Sequence, residues 1–191
     1  EDIGLMKMLP GMTVINTCDY NQTKNATIAI AKYNGPVYLR FGRPKVPNFT
    51  SEAKVFEIGK AITLKEGVDV SIFATGHLVW EALEAAKKLE EKHINCEVIN
   101  ISTIKPLDET AIIKSIEKTK CVVTAEEHQI LGGLGGSIAQ LIVKHQPVPL
   151  EFVGVNDSFG ESGRPMELMK KYKIDRNSIL NAVMKVIQRK S

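Results

Sequence analysis

Several scarcities narrow this chain before any pattern is considered. Tryptophan occurs once in 191 residues, aromatic side chains make up 6%, and there are three cysteines and four histidines. Cys18, Cys96 and Cys121 stand far apart and form no C-x-x-C pair. That spacing favours buried reduced thiols in a cytoplasmic protein over a disulfide framework or a thiolate zinc site. His77, His93 and His145 share no metal-ligand spacing and read as peripheral. No apolar run approaches the roughly 20 residues that span a bilayer, so no membrane partner is expected. A basic stretch followed by an apolar core, the mark of a secretory leader, is also missing. The net charge is only +3, too little to argue for a nucleic-acid partner, and the lysines alternate with glutamates as on solvated helix faces.

What remains is an ordinary soluble composition, with 43% hydrophobic and 25% charged residues, sufficient for one or two domains. There is no initiator methionine, and Ile3, Met6 and Leu9 repeat at the spacing of one helix face. The expectation is a fragment that opens inside a helix whose domain began earlier. "MTVINT" reads as a strand by its β-branched content. Asp19 is placed to cap a helix through "YNQTKNATIAIAKYN", with Asn34-Gly35-Pro36 as its stop. Val37 to Phe41 is the next strand, and the proline-punctuated residues from Pro44 to Ala53 form a linker.

A second alternating series follows. "VFEIGKAITLKEG" predicts a strand pair or hairpin at the domain's edge, and "VDVSIFATG" a strand leading into the helix "HLVWEALEAAKKLEEKH". "CEVINIS" is a strand, "KPLDETAIIKSIEKT" a helix capped at Asp108, and "KCVVTAEEH" a strand. A glycine cluster then opens the helix "GSIAQLIVKH", "LEFVGV" is the last strand, and the tail is helical with a break near Lys173 to Asp175. Short apolar strands alternating with helices predict a mostly parallel sheet covered on both faces.

Four stretches invite a chemical reading. Gly132-Gly133-Leu134-Gly135-Gly136 opens a helix after a strand, where a phosphate cradle is possible. The dinucleotide fingerprint fails because Ile138 stands at its third glycine position, so a tight turn with close helix–sheet packing is favoured. Glu126, Glu127 and His128 end a strand, but neighbours on a strand point to opposite faces. An interface role there rivals acid–base work. "FGESGRP" carries Glu161 and Arg164, either as a closing loop or as a rigid connection with an internal ion pair. Trp80 reads as a core or interface anchor. In "GPVYLRFGRPKVP", Arg40 lies within the strand and is expected to pair. Arg43 lies just beyond it, where open α/β sheets present ligands, and a guanidinium's fixed fork suits phosphate.

Taken together, "EDIGLMKMLPGMTV", "GPVYLRFGRP", "ATGHLVWEALEAAKKL", "VINISTIKPLD", "CVVTAEEHQILGGLGG" and "DSFGESGRPMELMKKYKI" resemble the C-terminal part of transketolase, best the shorter or split prokaryotic type. The resemblance implies a layout. Residues 1–48 would be the end of a domain that binds the pyrimidine ring of thiamine diphosphate, 49–54 a linker, and 55–191 the transketolase C-terminal domain. The implied fold is a three-layer α/β/α unit with a mostly parallel, doubly wound sheet, preceded by the partial α/β domain. It implies transfer of a two-carbon ketol unit between sugar phosphates in the pentose phosphate pathway, with thiamine diphosphate and Mg²⁺ as cofactors of the full enzyme. Arg43 matches the family arginine that grips the substrate phosphate. The glutamate, histidine and aspartate that serve cofactor and sugar, and the glycine-aspartate-glycine motif that holds magnesium, have no counterpart here. The fragment alone is therefore expected to bind no cofactor and to be inactive. It would serve packing and dimerisation with the N-terminal transketolase domains or subunit in a homodimer. The rival readings are deoxyxylulose-phosphate synthase, a 2-oxo acid dehydrogenase β subunit, and a non-catalytic Rossmann-like interaction module.

Overall fold

The computed structural model describes residues 1–190. Its smaller sheet contains β1 (Thr13–Asn16) between β2 (Val37–Arg40), which runs parallel to it, and β6 (Thr103–Lys105), which runs antiparallel. Helix α1 (Asp2–Met8) covers one face, where Ile3 packs on Val14 and Ile104. Helix α2 (Tyr20–Ile30) covers the other, against Ile15, Val37 and Leu39. The alternation along β1 and β2 dictates this split, since successive side chains leave a strand on opposite sides. Helix α2 stops four residues before the expected Asn34-Gly35-Pro36.

The larger sheet has the order β3 (Ile62–Lys65), β5 (Cys96–Asn100), β4 (Val70–Ala74), β7 (Val122–Gln129), β8 (Leu150–Val155). β4, β5, β7 and β8 are parallel, and β3 runs antiparallel at the edge. Helices α3 (Leu78–Glu90) and α7 (Arg176–Gln188) pack on one face over Ile72, Val98 and Val123. Helices α4 (Glu109–Thr119) and α5 (Leu134–His145) pack on the other over Phe73, Ile99 and Val122. This is the expected doubly wound three-layer arrangement, and β4 and β5 are buried along their whole length because both faces are covered. The tail divides as expected, into the short α6 (Pro165–Lys171) and α7.

Two local expectations need correction. Residues 55–67 contain a single edge strand, β3, and not a hairpin; Phe56, ahead of it, inserts beneath α2. The stretch after β5 holds β6, a strand that the sequence pattern does not mark and that crosses to pair with β1. Three residues are too short a run for periodicity to register, and their pairing partner lies far away in sequence.

Asp19 does more than begin a helix. One carboxylate oxygen accepts the Gln22 N–H at 2.8 Å and the Thr50 hydroxyl at 2.6 Å. The other accepts the backbone N–H of Phe49 at 2.9 Å and of Thr50 at 2.7 Å. The side chain thus caps α2 and pins the connecting segment at once. Asp19→Ala is expected to lower unfolding free energy by about 2 kcal/mol, since it removes a cap and orphans further donors. Urea unfolding measures this, and a loss under about 0.5 kcal/mol would mean that the pinning contributes nothing.

Candidate functional site

The larger sheet reverses its strand order between β4 and β7, and a doubly wound sheet opens a crevice beyond the carboxyl ends of such a pair. Into this crevice the segment after β4 delivers His77, β7 delivers Glu127 and His128, and β2 of the smaller sheet delivers Arg40. Arg40 donates from Nε to Asp2 at 2.9 Å and from Nη2 to the Glu127 carbonyl at 3.0 Å. The pairing expected of it therefore exists, although its carboxylate comes from α1. Burial alone would raise the Asp2 carboxyl, but the Tyr38 hydrogen bond and the Arg40 guanidinium hold it below its ordinary value.

Glu126 and Glu127 leave the strand on opposite sides and do different things. Glu126 is buried and accepts the N–H groups of Leu134 at 2.7 Å and Gly135 at 2.8 Å, the first turn of α5. Burial pushes its carboxyl up to about 7, against these two donors and the nearby Lys7 and Arg40, which pull it down. A Cβ on Gly133 would lie 2.0 Å from the Glu126 carboxylate, and one on Gly135 would meet the Phe152 ring at 2.6 Å. The glycine cluster thus makes room for an internal carboxylate and for close helix–sheet packing. Its helix N-terminus is already occupied and offers no diphosphate cradle. Lys7 binds the carbonyls of Gly132 at 2.8 Å and Gly133 at 2.6 Å, and it also contacts Ser137. His128 accepts the Gly4 N–H at Nε2, 3.3 Å away, and its Nδ1 lies 2.8 Å from the Gln129 carbonyl, so it is the neutral tautomer protonated at Nδ1. Burial lowers its pKa, consistent with that neutral form. These groups staple α1 to the β7–α5 junction, an interface role.

Glu127 faces outward toward His77, whose Nδ1 is 3.4 Å from its carboxylate. That contact, with the Arg40 charge, holds the Glu127 carboxyl below its ordinary value despite burial. His77 is consequently not peripheral, since its side chain is only 10% exposed. Its position directly after the carboxyl end of β4 was the signal sequence reading passed over. Both residues line a groove of about 990 Å³. One wall is the loop from Phe41 to Pro47, and the other is the "FGESGRP" loop with α6. Trp80 forms part of the floor and stacks on Phe49 with ring centroids 5.6 Å apart. In the second loop Glu161 pairs with Lys171, and Arg164 approaches Glu167 at 3.8 Å. The two loop charges are tied to α6, not to each other.

Arg43 lines this groove and is solvent-exposed. Four of the five carboxylates that line the groove are engaged elsewhere: Asp2 with Arg40, Glu81 with Arg176, Glu161 with Lys171 and Glu127 with His77; the fifth, Glu1, forms no ion pair with Arg43. Among the described residues Arg43 has no carboxylate partner. No group of three or more His, Cys, Asp or Glu side chains among them could hold a metal ion. No helix there is long and apolar enough to cross a membrane, and the three cysteines are buried and unpaired.

The transketolase C-terminal domain family matches residues 59–179. The chain belongs to that family. The transketolase subunit of Clostridium sp. (strain MSTE9) named for 6-deoxy-6-sulfo-D-fructose is 43% identical over all of this chain and 59% of its own length. A Phocaeicola vulgatus protein named as one of the subunits of an apulose-4-phosphate transketolase is 34% identical over 99% of this chain and 61% of its own. A solved structure described as a split-gene transketolase, inactive β4 tetramer, superposes with a TM-score of 0.97 at 42% identity, covering all of this chain and 63% of that one. The chain thus spans about three fifths of the length of the proteins it matches.

Proposed function

We propose that this chain is the C-terminal portion of a cytoplasmic, thiamine-diphosphate-dependent transketolase, active only in a complete assembly. In that assembly residues 1–48 finish a pyrimidine-binding domain, residues 49–54 form a linker, and residues 55–191 form the C-terminal domain used for packing and homodimer formation. The cofactor and Mg²⁺ are held by other segments. When bound, the cofactor supplies a nucleophilic carbon and an electron sink for the two-carbon transfer. This chain supplies Arg43, whose planar guanidinium grips the terminal oxyanion of the sugar donor. The observation that carries this reading is an arginine beyond a strand's carboxyl end, lining a groove in which it pairs with no carboxylate among the described residues.

A sulfonate is the second candidate for that anion, because one relative is named for a sulfonated ketose and the other for a phosphorylated one. Both groups present tetrahedral oxygens to the same fork. The test is a donor series with the complete enzyme. Xylulose 5-phosphate with ribose 5-phosphate is expected to give a seven-carbon product, while pyruvate with glyceraldehyde 3-phosphate gives none. Arg43→Ala is expected to raise KM for an anionic donor about 10- to 100-fold, the worth of one charge-assisted contact. Absence of ketol transfer from phosphorylated and sulfonated donors alike would remove the reading.

A further inference from the structure

The wall of the groove that carries Arg43 has no secondary structure of its own, since β2 ends at Arg40 and the next element begins at Ile62. Something must hold the turn from Phe41 to Arg43, because a freely moving arginine loses rotamer and backbone entropy on every binding event. His77 is in place to do so. A Cβ built on Gly42 would lie 1.8 Å from Cε1 and 2.1 Å from Nε2 of its imidazole. The Gly42 backbone therefore rests against the ring edge in space that no other residue type leaves free. The ring in turn is fixed at its other nitrogen by the Glu127 carboxylate, 3.4 Å from Nδ1. Glu127 is fixed from behind, because its own backbone carbonyl accepts from Arg40, the last residue of β2. A closed circuit results: β2 to β7 through Arg40, β7 to β4 through Glu127 and His77, and β4 back to the β2 exit through Gly42.

We propose that His77, clamped by Glu127, is a positioning residue for Arg43, holding the Gly42 backbone so that the guanidinium is presented to the anionic end of the sugar. This rests on the oxyanion reading of Arg43 given above. A carboxylate–imidazole pair orients a ring in the same way when the ring ligates a metal, and here the oriented object is a loop. Preorganisation of this kind lowers the cost of binding the group that Arg43 contacts and leaves the rest of the substrate untouched. The effect must therefore be confined to KM for donors with a terminal anion.

The experiment uses the complete enzyme and two ketose donors of equal chain length, one phosphorylated and one not. His77→Ala is expected to raise KM for the phosphorylated donor about 5- to 10-fold with kcat within about twofold, and to leave the unphosphorylated donor unchanged. On the Arg43→Ala background it is expected to add nothing, since the two residues act as one unit. Glu127→Gln keeps the volume and removes the clamp's charge, with an expected selective rise of about threefold. It carries the test if His77→Ala does not assemble. Equal effects of either variant on both donors, or His77→Ala multiplying the Arg43→Ala effect, would overturn the positioning role while leaving the oxyanion reading intact. If Arg43→Ala itself fails to distinguish the donors, the oxyanion reading falls, and this inference with it.

Discussion

Replacing Glu126 with alanine is expected to lower the unfolding free energy by about 3–5 kcal/mol, since it orphans two buried backbone donors and leaves a cavity in a packed site. The side chain is buried and serves as the cap of α5, accepting from Leu134 and Gly135. Alanine leaves both N–H groups without a partner in a site closed to water, and it opens a cavity beneath the glycine cluster. Lys7, which faces the same carboxylate, loses its countercharge. Because Lys7 and His128 also hold α1, the loss extends to that helix, and hydrogen exchange of α1 should accelerate with it. Urea unfolding checks the magnitude, and a loss under about 1 kcal/mol would mean that α5 is held by packing alone.

The same residue carries a pH signature whose sign is fixed by its environment. Its carboxyl is raised from 4.5 to about 7 by burial, so between those values the folded protein binds more protons than the unfolded chain. The contribution of Glu126 to stability is therefore largest below pH 4.5 and is lost as pH rises toward 7. His128, lowered from 6.5, acts oppositely and loses its contribution as pH falls below that value. Comparing wild type with Glu126→Gln isolates the first contribution, and an identical pH dependence in the two would contradict it.

Arg176→Ala is expected to cost about 3 kcal/mol. Arg176 opens α7, the terminal helix that covers the sheet beside α3. Its guanidinium meets both oxygens of Glu81 on α3, at 2.9 and 3.1 Å, and its backbone N–H donates to the same carboxylate at 3.0 Å. Glu81 is 5% exposed, so removing the guanidinium strands a charge in the interior. The double substitution Glu81→Gln with Arg176→Ala is expected to be less destabilised than Arg176→Ala alone, because the stranded charge is gone. Thermal or urea unfolding of the two variants separates them. Equal losses would show that α7 is anchored by its apolar face and not by this pair.

Much of the architecture was readable in advance because it rests on local rules. The alternation of apolar strands with helices called for a covered parallel sheet, and Asp19 and Asp108 marked helix starts that both side chains do cap. The failure of the glycine cluster to match a nucleotide fingerprint correctly favoured packing, since its space is filled from within. What could not be read was every feature made by distant pairing. β6 is a strand only because β1 lies beside it, and His77 looks like any surface histidine until β7 brings Glu127 within 3.4 Å and the β2 exit lays Gly42 on its ring.

The sequence by itself determined the layered fold, the capped helix starts and the family, because caps, periodicity and ordered motifs are properties of short stretches of chain. Only the tertiary structure decided that Glu126 is an internal cap while Glu127 faces a groove, and that Arg43 is without an acidic partner there. Those outcomes depend on which strand ends converge at the switch point, and convergence is a property of the packed sheet that no local stretch carries.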